Sequence, residues 1–284
     1  MKIVNLGSGS KGNCTLVASR GTVVLIDAGL PFAEIEEKLD RLGVSPQYIN
    51  GILVTHEHVD HIRSVGKLSK KYNIPVFAHM REWPVLMTRA KDILQNLKVA
   101  FDDNDFYLGD MTISSFELSH DANMCVGYSI FCGGEKFSIA TDLGICPSKV
   151  VEKLKGSQVV LIEANHDENL LANNQKYPLI LKKRILSNKG HLSNKQSAEV
   201  IANLVGSTNQ ILLGHLSEEN NSQALAYNTI KSILAERGIE EGKHIFIDVT
   251  YQHQMSNIFE IKSKWKKWTN QIGLSFFILS SFIN

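Results

Sequence analysis

Short apolar runs alternate with amphipathic stretches along most of the chain. Short runs rich in β-branched residues and bounded by glycine or polar residues are typical of buried strands, whereas apolar residues spaced roughly three to four apart indicate helices. The pattern predicts strands at 3–6, 14–18, 22–26, 51–55, 76–78, 111–118, 126–131, 136–141, 158–163, 210–214 and 244–248. It predicts helices at 31–42, opened by Pro31 and closed by Gly43, and near 147–154, 179–186, 194–204 and 222–237.

The order of these elements indicates an α/β fold that contains hairpins as well as helical crossovers. No repeat, linker or low-complexity break divides residues 1–261, so we expect them to form a single domain. The asparagine-rich stretch 165–176 is predicted to be an exposed loop. Residues 262–284 form a basic, aromatic and then apolar tail of uncertain role, either a docked terminus or a weak membrane-surface anchor.

The amino-acid composition limits the classes of function that this chain could have. The chain has 284 residues and 43% hydrophobic content, enough to bury a large core. Its formal net charge of +1 gives no overall field for a polyanion, so affinity for nucleic acid would come from local basic patches. The basic run near 182–195 is either such a patch or a solvated helix face, and its members are Lys182, Lys183, Arg184, Lys189 and Lys195.

The cysteines and the N-terminus indicate the cellular setting. The four cysteines form no C-x-x-C pair and are too sparse for a disulfide scaffold. The first residues lack the architecture of a signal peptide. We therefore expect a cytoplasmic protein without membrane association.

The predicted strand 51–55 is followed directly by a dense group of metal-binding side chains. They form an H-x-H-x-D-H cluster of His56, His58, Asp60 and His61. A lone His-x-His pair is most often structural, but this density of candidate ligands indicates metal binding. Imidazole suits zinc, and a carboxylate widens the choice to manganese or iron. The cluster therefore predicts two adjoining sites, with His56 and His58 at one ion and Asp60 and His61 at the other.

Further candidate ligands stand where other predicted strands end. They are Asp27, His120, Asp142 and His215. Each is a weak signal by itself, because charged residues at strand ends are common turn chemistry and a lone histidine is usually structural. Their order along the chain carries the information.

In that order, an Asp, H-x-H-x-D-H, a His, an Asp and a final His, the chain resembles the metallo-β-lactamase superfamily. The resemblance spans residues 27–215 and implies a metallo-β-lactamase-like αβ/βα four-layer sandwich with a dinuclear site at one edge. It implies that one ion is bound by His56, His58 and His120, that the other is bound by Asp60, His61 and His215, and that Asp142 bridges them. Asp27 would then orient a ligand histidine rather than bind metal.

Additional motifs are similar to the YycJ/WalJ-type branch of that superfamily, bacterial enzymes regarded as phosphodiesterases and 5′→3′ DNA exonucleases. They lie at 7–14, 163–167, 190–194 and 215–221. Ser8, Ser10 and Asn13, in the first motif, would contact a phosphate of the substrate, although a tight hairpin explains that glycine-serine stretch equally well. His191 would be the acid that protonates the leaving group and Glu163 its partner, unless His191 only caps the following helix.

The resemblance implies a hydrolase with two divalent metal ions, zinc or manganese with iron as a further candidate, and no organic cofactor. A hydroxide bridging the ions would attack the phosphorus, and nucleic acid, DNA in preference to RNA, is the expected substrate. The alternatives are a glyoxalase II-like thioesterase or other small-molecule hydrolase, and a metal-binding scaffold of a signalling pathway. The thioesterase shares the metal motifs but leaves Glu163 and His191 without a role. The sequence predicts no oligomeric state.

Overall fold

Two β-sheets stacked face to face form the centre of the molecule, in a computed structural model that describes residues 1–261. The strands are β1 (Lys2–Gly7), β2 (Cys14–Ala18), β3 (Val23–Ile26), β4 (Gly51–Leu53), β5 (Val76–His79), β6 (Lys98–Phe101), β7 (Phe106–Leu108), β8 (Met111–Glu117), β9 (Val126–Cys132), β10 (Glu135–Ala140), β11 (Val159–Glu163), β12 (Gln210–Gly214), β13 (Phe246–Val249) and β14 (Phe259–Glu260). The strand order is β14-β1-β2-β3-β4-β5-β6 in one sheet and β13-β12-β11-β10-β9-β8-β7 in the other.

Both sheets are mixed in the same way. The strands β1, β2 and β3 pair antiparallel, and β3 to β6 continue in parallel. In the second sheet β7 to β10 pair antiparallel, and β10 to β13 are parallel. Because parallel strands end at a common edge, the residues that follow β3 and β4 lie together, and so do those that follow β10, β11 and β12.

Helices cover the outer face of each sheet. They are α1 (Phe32–Arg41), α2 (Val59–Ile62), α3 (Val65–Tyr72), α4 (Trp83–Arg89), α5 (Ser148–Leu154), α6 (Glu168–Asn173), α7 (Leu179–Ile185), α8 (Asn194–Ala202) and α9 (Gln223–Glu236), with 3₁₀ turns at Pro46–Tyr48 and Gln95–Leu97. Ser193 caps α8 and forms a capping box with Gln196. Gly43 adopts a φ of 68° just after α1, as expected for the glycine that ends a helix.

The core follows the period of two along each strand. In β3, Val24 and Ile26 face the layer between the sheets, whereas Leu25 packs under the helices of the first sheet. In β11, Leu161 faces the layer between the sheets and Ile162 packs under the opposite helices. Fully buried strands of this kind appear in sequence as continuous apolar runs. The arrangement confirms the predicted α/β fold, a four-layer αβ/βα sandwich.

The structure corrects the predicted loop at 165–176. Helix α6 lies within it, because the Asp167 side chain accepts hydrogen bonds from the Asn169 and Leu170 N–H groups and Leu171 is buried. Helices α2, α3 and α4 and strands β6, β7 and β14 were not predicted. The tail 262–284, considered above as a docked terminus or membrane anchor, lies outside the described residues. Among residues 1–261, no helix has the length and apolar character to cross a membrane.

Candidate metal centre

The H-x-H-x-D-H cluster begins shortly after β4 and continues into the short helix α2. His56 and His58 lie on the extended segment, and a ligand atom of each lies within 4.8 Å of one on His120. The His58 Nδ1 and His120 Nε2 atoms are 3.3 Å apart. Gly190 contributes its carbonyl oxygen 3.2 Å from His120 Nδ1, which leaves Nε2 as the ligating atom. The structure thus brings together the predicted first triad.

The second predicted triad also converges. Asp60 and His61 are on the first turn of α2, and His215 follows β12. Asp60 Oδ2 is 3.4 Å from His61 Nε2 and 3.5 Å from His215 Nε2. A one-turn helix, rather than the expected open loop, turns Asp60 and His61 toward the same point.

Asp142, two residues after β10, lies between the two triads. Its Oδ2 is 3.2 Å from His61 Nε2, and its Oδ1 is 3.3 Å from His215 Nε2 and 3.8 Å from His120 Nε2. A carboxylate in this position can reach ions held by either triad. The structure thus brings Asp142, expected from the resemblance to bridge the two ions, between the two triads.

The charge around these side chains favours a bound cation. Burial lowers the pKa of His56, His58 and His120, so these imidazoles are neutral, as metal ligation requires. Burial would also lower the pKa of His61, but the surrounding Asp142, Asp27 and Asp60 carboxylates raise it well above its ordinary value. Three carboxylates around one imidazole are an excess of buried negative charge, which a divalent cation would neutralise.

Two buried atoms also suit a metal. His56 Nε2 has no hydrogen-bond partner, because Thr55 Oγ1 contacts only the other ring nitrogen at 3.0 Å. Asp142 Oδ2 likewise makes no hydrogen bond, although it lies 3.2 Å from His61 Nε2. Buried polar atoms without partners are rare and costly. Together with the convergent triads they define a site for divalent metal ions.

Asp27 is behind the site rather than in it. Its Oδ2 lies 2.7 Å from His61 Nδ1, and its Oδ1 accepts a hydrogen bond of 2.8 Å from the Thr55 backbone N–H. Thr55 Oγ1 donates to Asp27 Oδ2 at 2.9 Å. These bonds hold the His61 ring with Nε2 directed at Asp60 and Asp142. The geometry supports the orienting role expected for Asp27.

Replacing Asp27 by asparagine is therefore expected to lower activity by roughly 10–100-fold, the usual effect of losing the outer partner of a ligand histidine. Asparagine tolerates the positive φ of 59° at this position, so the fold should persist. Turnover and thermal unfolding of the purified variant check both statements. Wild-type turnover would remove Asp27 from the site.

Unusual backbone geometry marks the same strand ends. Asp27, Asp142 and His215 have φ values of 59°, 65° and 54°, and the other non-glycine residue with positive φ in the described chain is Asn73, at the end of α3. Left-handed backbone costs free energy for residues with a β-carbon and is concentrated at functional sites. The fold therefore maintains a strained turn at three of the predicted site residues.

Gly29 allows the metal-binding segment to approach the first sheet. A β-carbon at Gly29 would lie 1.6 Å from the Asp60 carbonyl oxygen, so only glycine fits. The backbone N–H of Asn13 donates to the same oxygen at 2.8 Å, and the N–H of Ala28 donates to the His61 carbonyl at 2.8 Å. Two segments, one just before β2 and one just after β3, thus fix the position of α2.

The predicted substrate-contacting residues have different surroundings. Ser8 is buried, donates to Asn13 Oδ1 at 3.1 Å and accepts from the His215 N–H at 2.8 Å. Asn13 is also buried, and its Nδ2 lies 3.1 Å from His61 Nε2. Ser10 is exposed. Ser8 and Asn13 therefore support the ligand loops in this structure, and Ser10 is the member of the set whose side chain reaches solvent.

Glu163 and His191 lie beside the metal ligands. Glu163 Oε1 accepts from His191 Nδ1 at 2.8 Å and lies 2.9 Å from His215 Nδ1, while Oε2 accepts from the Leu192 N–H at 2.9 Å. Burial would raise the pKa of Glu163, but the two imidazoles lower it to about 2, so it is a carboxylate. His191 Nδ1 is 3.8 Å from Asp142 Oδ1. Asp142, Glu163, His191 and His215 also lie close enough to share an ion.

Two residues with clear contacts to the site were missed in the sequence. Thr55 bonds Asp27, and Asn165 Nδ2 donates to the His215 carbonyl oxygen at 2.9 Å. Thr55 ends a predicted strand and Asn165 follows another, so their positions at strand ends were what could have indicated a role in the site. Neither residue type indicates metal chemistry.

A pair of buried carboxyl groups lies behind the H-x-H-x-D-H segment. Glu57 and Glu82 are both buried, Glu57 Oε1 accepts from the Asn123 N–H at 3.1 Å, and Glu82 Oε2 accepts from the Met124 N–H at 3.1 Å. Burial and the negative charge of Glu57 raise the pKa of Glu82 to about 8. Glu82 is therefore protonated at neutral pH.

Replacing Glu82 by glutamine is expected to stabilise the fold selectively at alkaline pH. Because the folded pKa of about 8 is above the ordinary value of 4.5, wild-type stability decreases as the pH rises between these values and the loss is complete above the folded pKa. Glutamine does not ionise. The difference in Tm between variant and wild type should be larger at about pH 9 than at about pH 6. Equal differences at both pH values would contradict the raised pKa of Glu82.

Comparison with known proteins identifies the class. The family model of the metallo-beta-lactamase superfamily matches residues 7–162, and the chain belongs to that superfamily. It is a metal-dependent hydrolase. The fold agrees with the metallo-beta-lactamase fold protein YhfI of Bacillus subtilis, with a TM-score of 0.67 and 15% identity over 90% of this chain and 99% of that one.

More similar relatives are found by sequence. The chain is 34% identical to exodeoxyribonuclease YycJ of Bacillus anthracis over 240 residues, 84% of this chain and 90% of that protein. It is 36% identical to exodeoxyribonuclease WalJ of Streptococcus pneumoniae over 242 residues, 84% of this chain and 89% of that protein. These matches confirm the similarity to the YycJ/WalJ-type branch.

Proposed function

We propose that this protein is a dinuclear-metal phosphodiesterase that degrades DNA in the 5′-to-3′ direction. The observation that carries the proposal is the Glu163–His191 pair, joined at 2.8 Å and lying beside the bridging position of Asp142. Hydrolysis of a phosphodiester of DNA expels an alkoxide, which is a poor leaving group without a proton. A histidine held by a carboxylate next to a metal site meets that requirement.

One ion would be held by His56, His58 and His120, the other by Asp60, His61 and His215, with Asp142 shared. Such a pair of divalent ions supplies a nucleophile at neutral pH and stabilises negative charge on the phosphoryl oxygens. The protein's own contribution is orientation. Asp27 fixes the His61 ring, and the Gly190 carbonyl fixes that of His120.

The proton for the leaving group would come from His191. The Glu163 carboxylate accepts a hydrogen bond from His191 Nδ1–H, which leaves His191 Nε2 as the atom that can deliver a proton to the departing oxygen. The side chain of His191 is 18% exposed, whereas that of Glu163 is fully buried. His191 can therefore meet a substrate while its partner stays out of water, as a general acid and its orienting group would.

The relatives support DNA as the substrate, because both are named exodeoxyribonucleases. Zinc and manganese are the proposed metals, with iron as a further candidate, since the ligand set of imidazole and carboxylate suits each. We also propose that residues 1–261 act as one domain and that the protein works in the cytoplasm.

A thioesterase of the glyoxalase II type would use the same triads. A thiolate leaves without protonation, so that reaction gives His191 no role as a general acid. The two activities separate in one assay: hydrolysis of bis-p-nitrophenyl phosphate and of a glutathione thioester, each with added Zn²⁺, Mn²⁺ or Fe²⁺. We expect the diester to be hydrolysed and the thioester to survive. The reverse result would assign a thioesterase, and no hydrolysis of either would favour a metal-binding scaffold.

A further inference from the structure

Four basic side chains surround a cavity of about 400 Å³ beside the metal centre. Arg63 follows α2, Lys67 is on α3, Arg89 ends α4 and Lys91 follows it. We call this the α3 cavity. Two separate stretches of the chain build it, residues 57–67 and 89–92, so no run of charge in the sequence indicates it.

Within residues 1–261, none of these four cations forms a salt bridge. Arg89 donates to the Glu57 carbonyl oxygen at 3.3 Å, which is a neutral acceptor. Two carboxylates also line the cavity. Glu57 accepts a hydrogen bond from the Asn123 N–H, and Asp92 lies 3.5 Å from Nζ of Lys70, which is outside the lining. With four cations against two carboxylates, the lining keeps a net positive charge, which attracts anions.

The basic run near 182–195 differs in this respect. Arg184 is paired with Asp121, Lys195 Nζ lies 2.9 Å from Glu168, and Lys182 Nζ donates to the Ala172 carbonyl at 2.6 Å. Carboxylates therefore pair with two of the five cations of that run, Arg184 and Lys195. In the α3 cavity, by contrast, none of the four cations is paired with a carboxylate within residues 1–261.

The α3 cavity adjoins the metal ligands along the chain. Val59, which lines it, is between His58 and Asp60 and is 63% exposed. Neighbouring α-carbons are about 3.8 Å apart, so the wall of the cavity begins one residue from each ligand. In a DNA strand whose scissile phosphate lies at the metal ions, the neighbouring backbone phosphates would reach this cavity.

We propose that the α3 cavity binds backbone phosphates of the DNA strand next to the scissile bond. The inference rests on the proposed function. A volume of about 400 Å³ is within the range of small-molecule pockets, so the cavity can admit a nucleotide unit. Interactions with phosphates give affinity without sequence preference, which an exonuclease requires.

The test compares Lys67→Ala/Lys91→Ala with wild type, both loaded with metal, for binding of short fluorescein-labelled single-stranded phosphorothioate DNA, which is cleaved slowly, by anisotropy over a range of salt concentrations. We expect the slope of log affinity against log salt to become shallower by about 1.4, because each phosphate contact on single-stranded DNA accounts for about 0.7 unit of slope. Affinity at low salt should fall on the order of 10-fold. The ratio of kcat/KM on DNA to that on bis-p-nitrophenyl phosphate should fall in parallel, because the small diester does not extend to the cavity.

The matched control is Lys71→Ala. Lys71 is on the same helix, exposed, and paired with Glu36 at 2.7 Å outside the cavity. An unchanged salt slope in the double variant, or the same change in Lys71→Ala, would overturn the proposal. If the double variant loses DNA binding but the wild type degrades no DNA, the cavity assignment stands and the proposed nuclease activity fails. If the wild type degrades DNA and the double variant binds it normally, the cavity assignment alone fails.

Discussion

Replacing Asp142 by alanine should abolish metal binding and activity together. Asp142 lies within 3.3 Å of a ligand atom in His61 and in His215 and 3.8 Å from His120, so both proposed ions lose a ligand at once. Metal ions contribute several kcal/mol of transition-state stabilisation, so we expect a loss on the order of 10³-fold or more. Elemental analysis and bis-p-nitrophenyl phosphate hydrolysis measure the two effects.

Asp142→Asn is the matched control. The φ of Asp142 is 65°, where alanine adds backbone strain and asparagine does not. The asparagine variant should therefore fold like wild type yet still lose metal, because an amide is a poor substitute for a bridging carboxylate. Two equivalents of bound metal in Asp142→Asn would contradict the bridging assignment.

Replacing His191 by alanine should slow DNA cleavage by about 10²–10⁴-fold, the usual contribution of a general acid. Cleavage of a p-nitrophenyl diester should change far less, because nitrophenolate leaves without a proton. Metal content should stay near wild type if His191 is not a ligand. The measurements are kcat/KM on both substrates and elemental analysis of the same preparation.

His191→Ala tests the general-acid role more specifically than any substitution of Glu163. Glu163 Oε1 contacts both His191 and His215, and Oε2 accepts from two backbone N–H groups, those of Leu143 and Leu192. A glutamine cannot accept from all four donors, so Glu163→Gln should also disturb the proposed metal ligand His215. Equal losses of kcat/KM on both substrates in His191→Ala, with metal retained, would contradict the role of His191 as general acid. Loss of metal in that variant would make His191 a ligand.

The metal-binding H-x-H-x-D-H cluster could be predicted because its four ligands stand within six consecutive residues. A short apolar strand followed by His56, His58, Asp60 and His61 identifies both the strand end and the chemistry. The four-layer fold followed from the resemblance and from the alternating elements. The exact first and last residues of the strands were less predictable. Strand β13 begins at Phe246 rather than near His244, because ladder pairing and not side-chain type decides where a strand begins.

Other features depend on contacts between distant parts of the chain. Gly29 is required because Asp60 packs against it, which no sequence window contains. The α3 cavity combines cations from the α2–α3 region with cations from beyond β5, and they differ from Arg184 in that no carboxylate neutralises them within the described residues. Whether a charge is paired is a tertiary property. For the same reason α6 was mistaken for a loop, since Leu171 becomes buried only in the folded chain.

The most direct test of the proposed activity is product analysis on DNA labelled separately at the 5′ and the 3′ end, with purified protein and each of Zn²⁺, Mn²⁺ and Fe²⁺ in turn. We expect the 5′ label to appear first as a mononucleotide while the 3′-labelled strand shortens progressively, and we expect Asp142→Asn to release neither. Early release of the 3′ label as a mononucleotide would reverse the polarity, and intact DNA with every metal would contradict the assignment of a DNA phosphodiesterase.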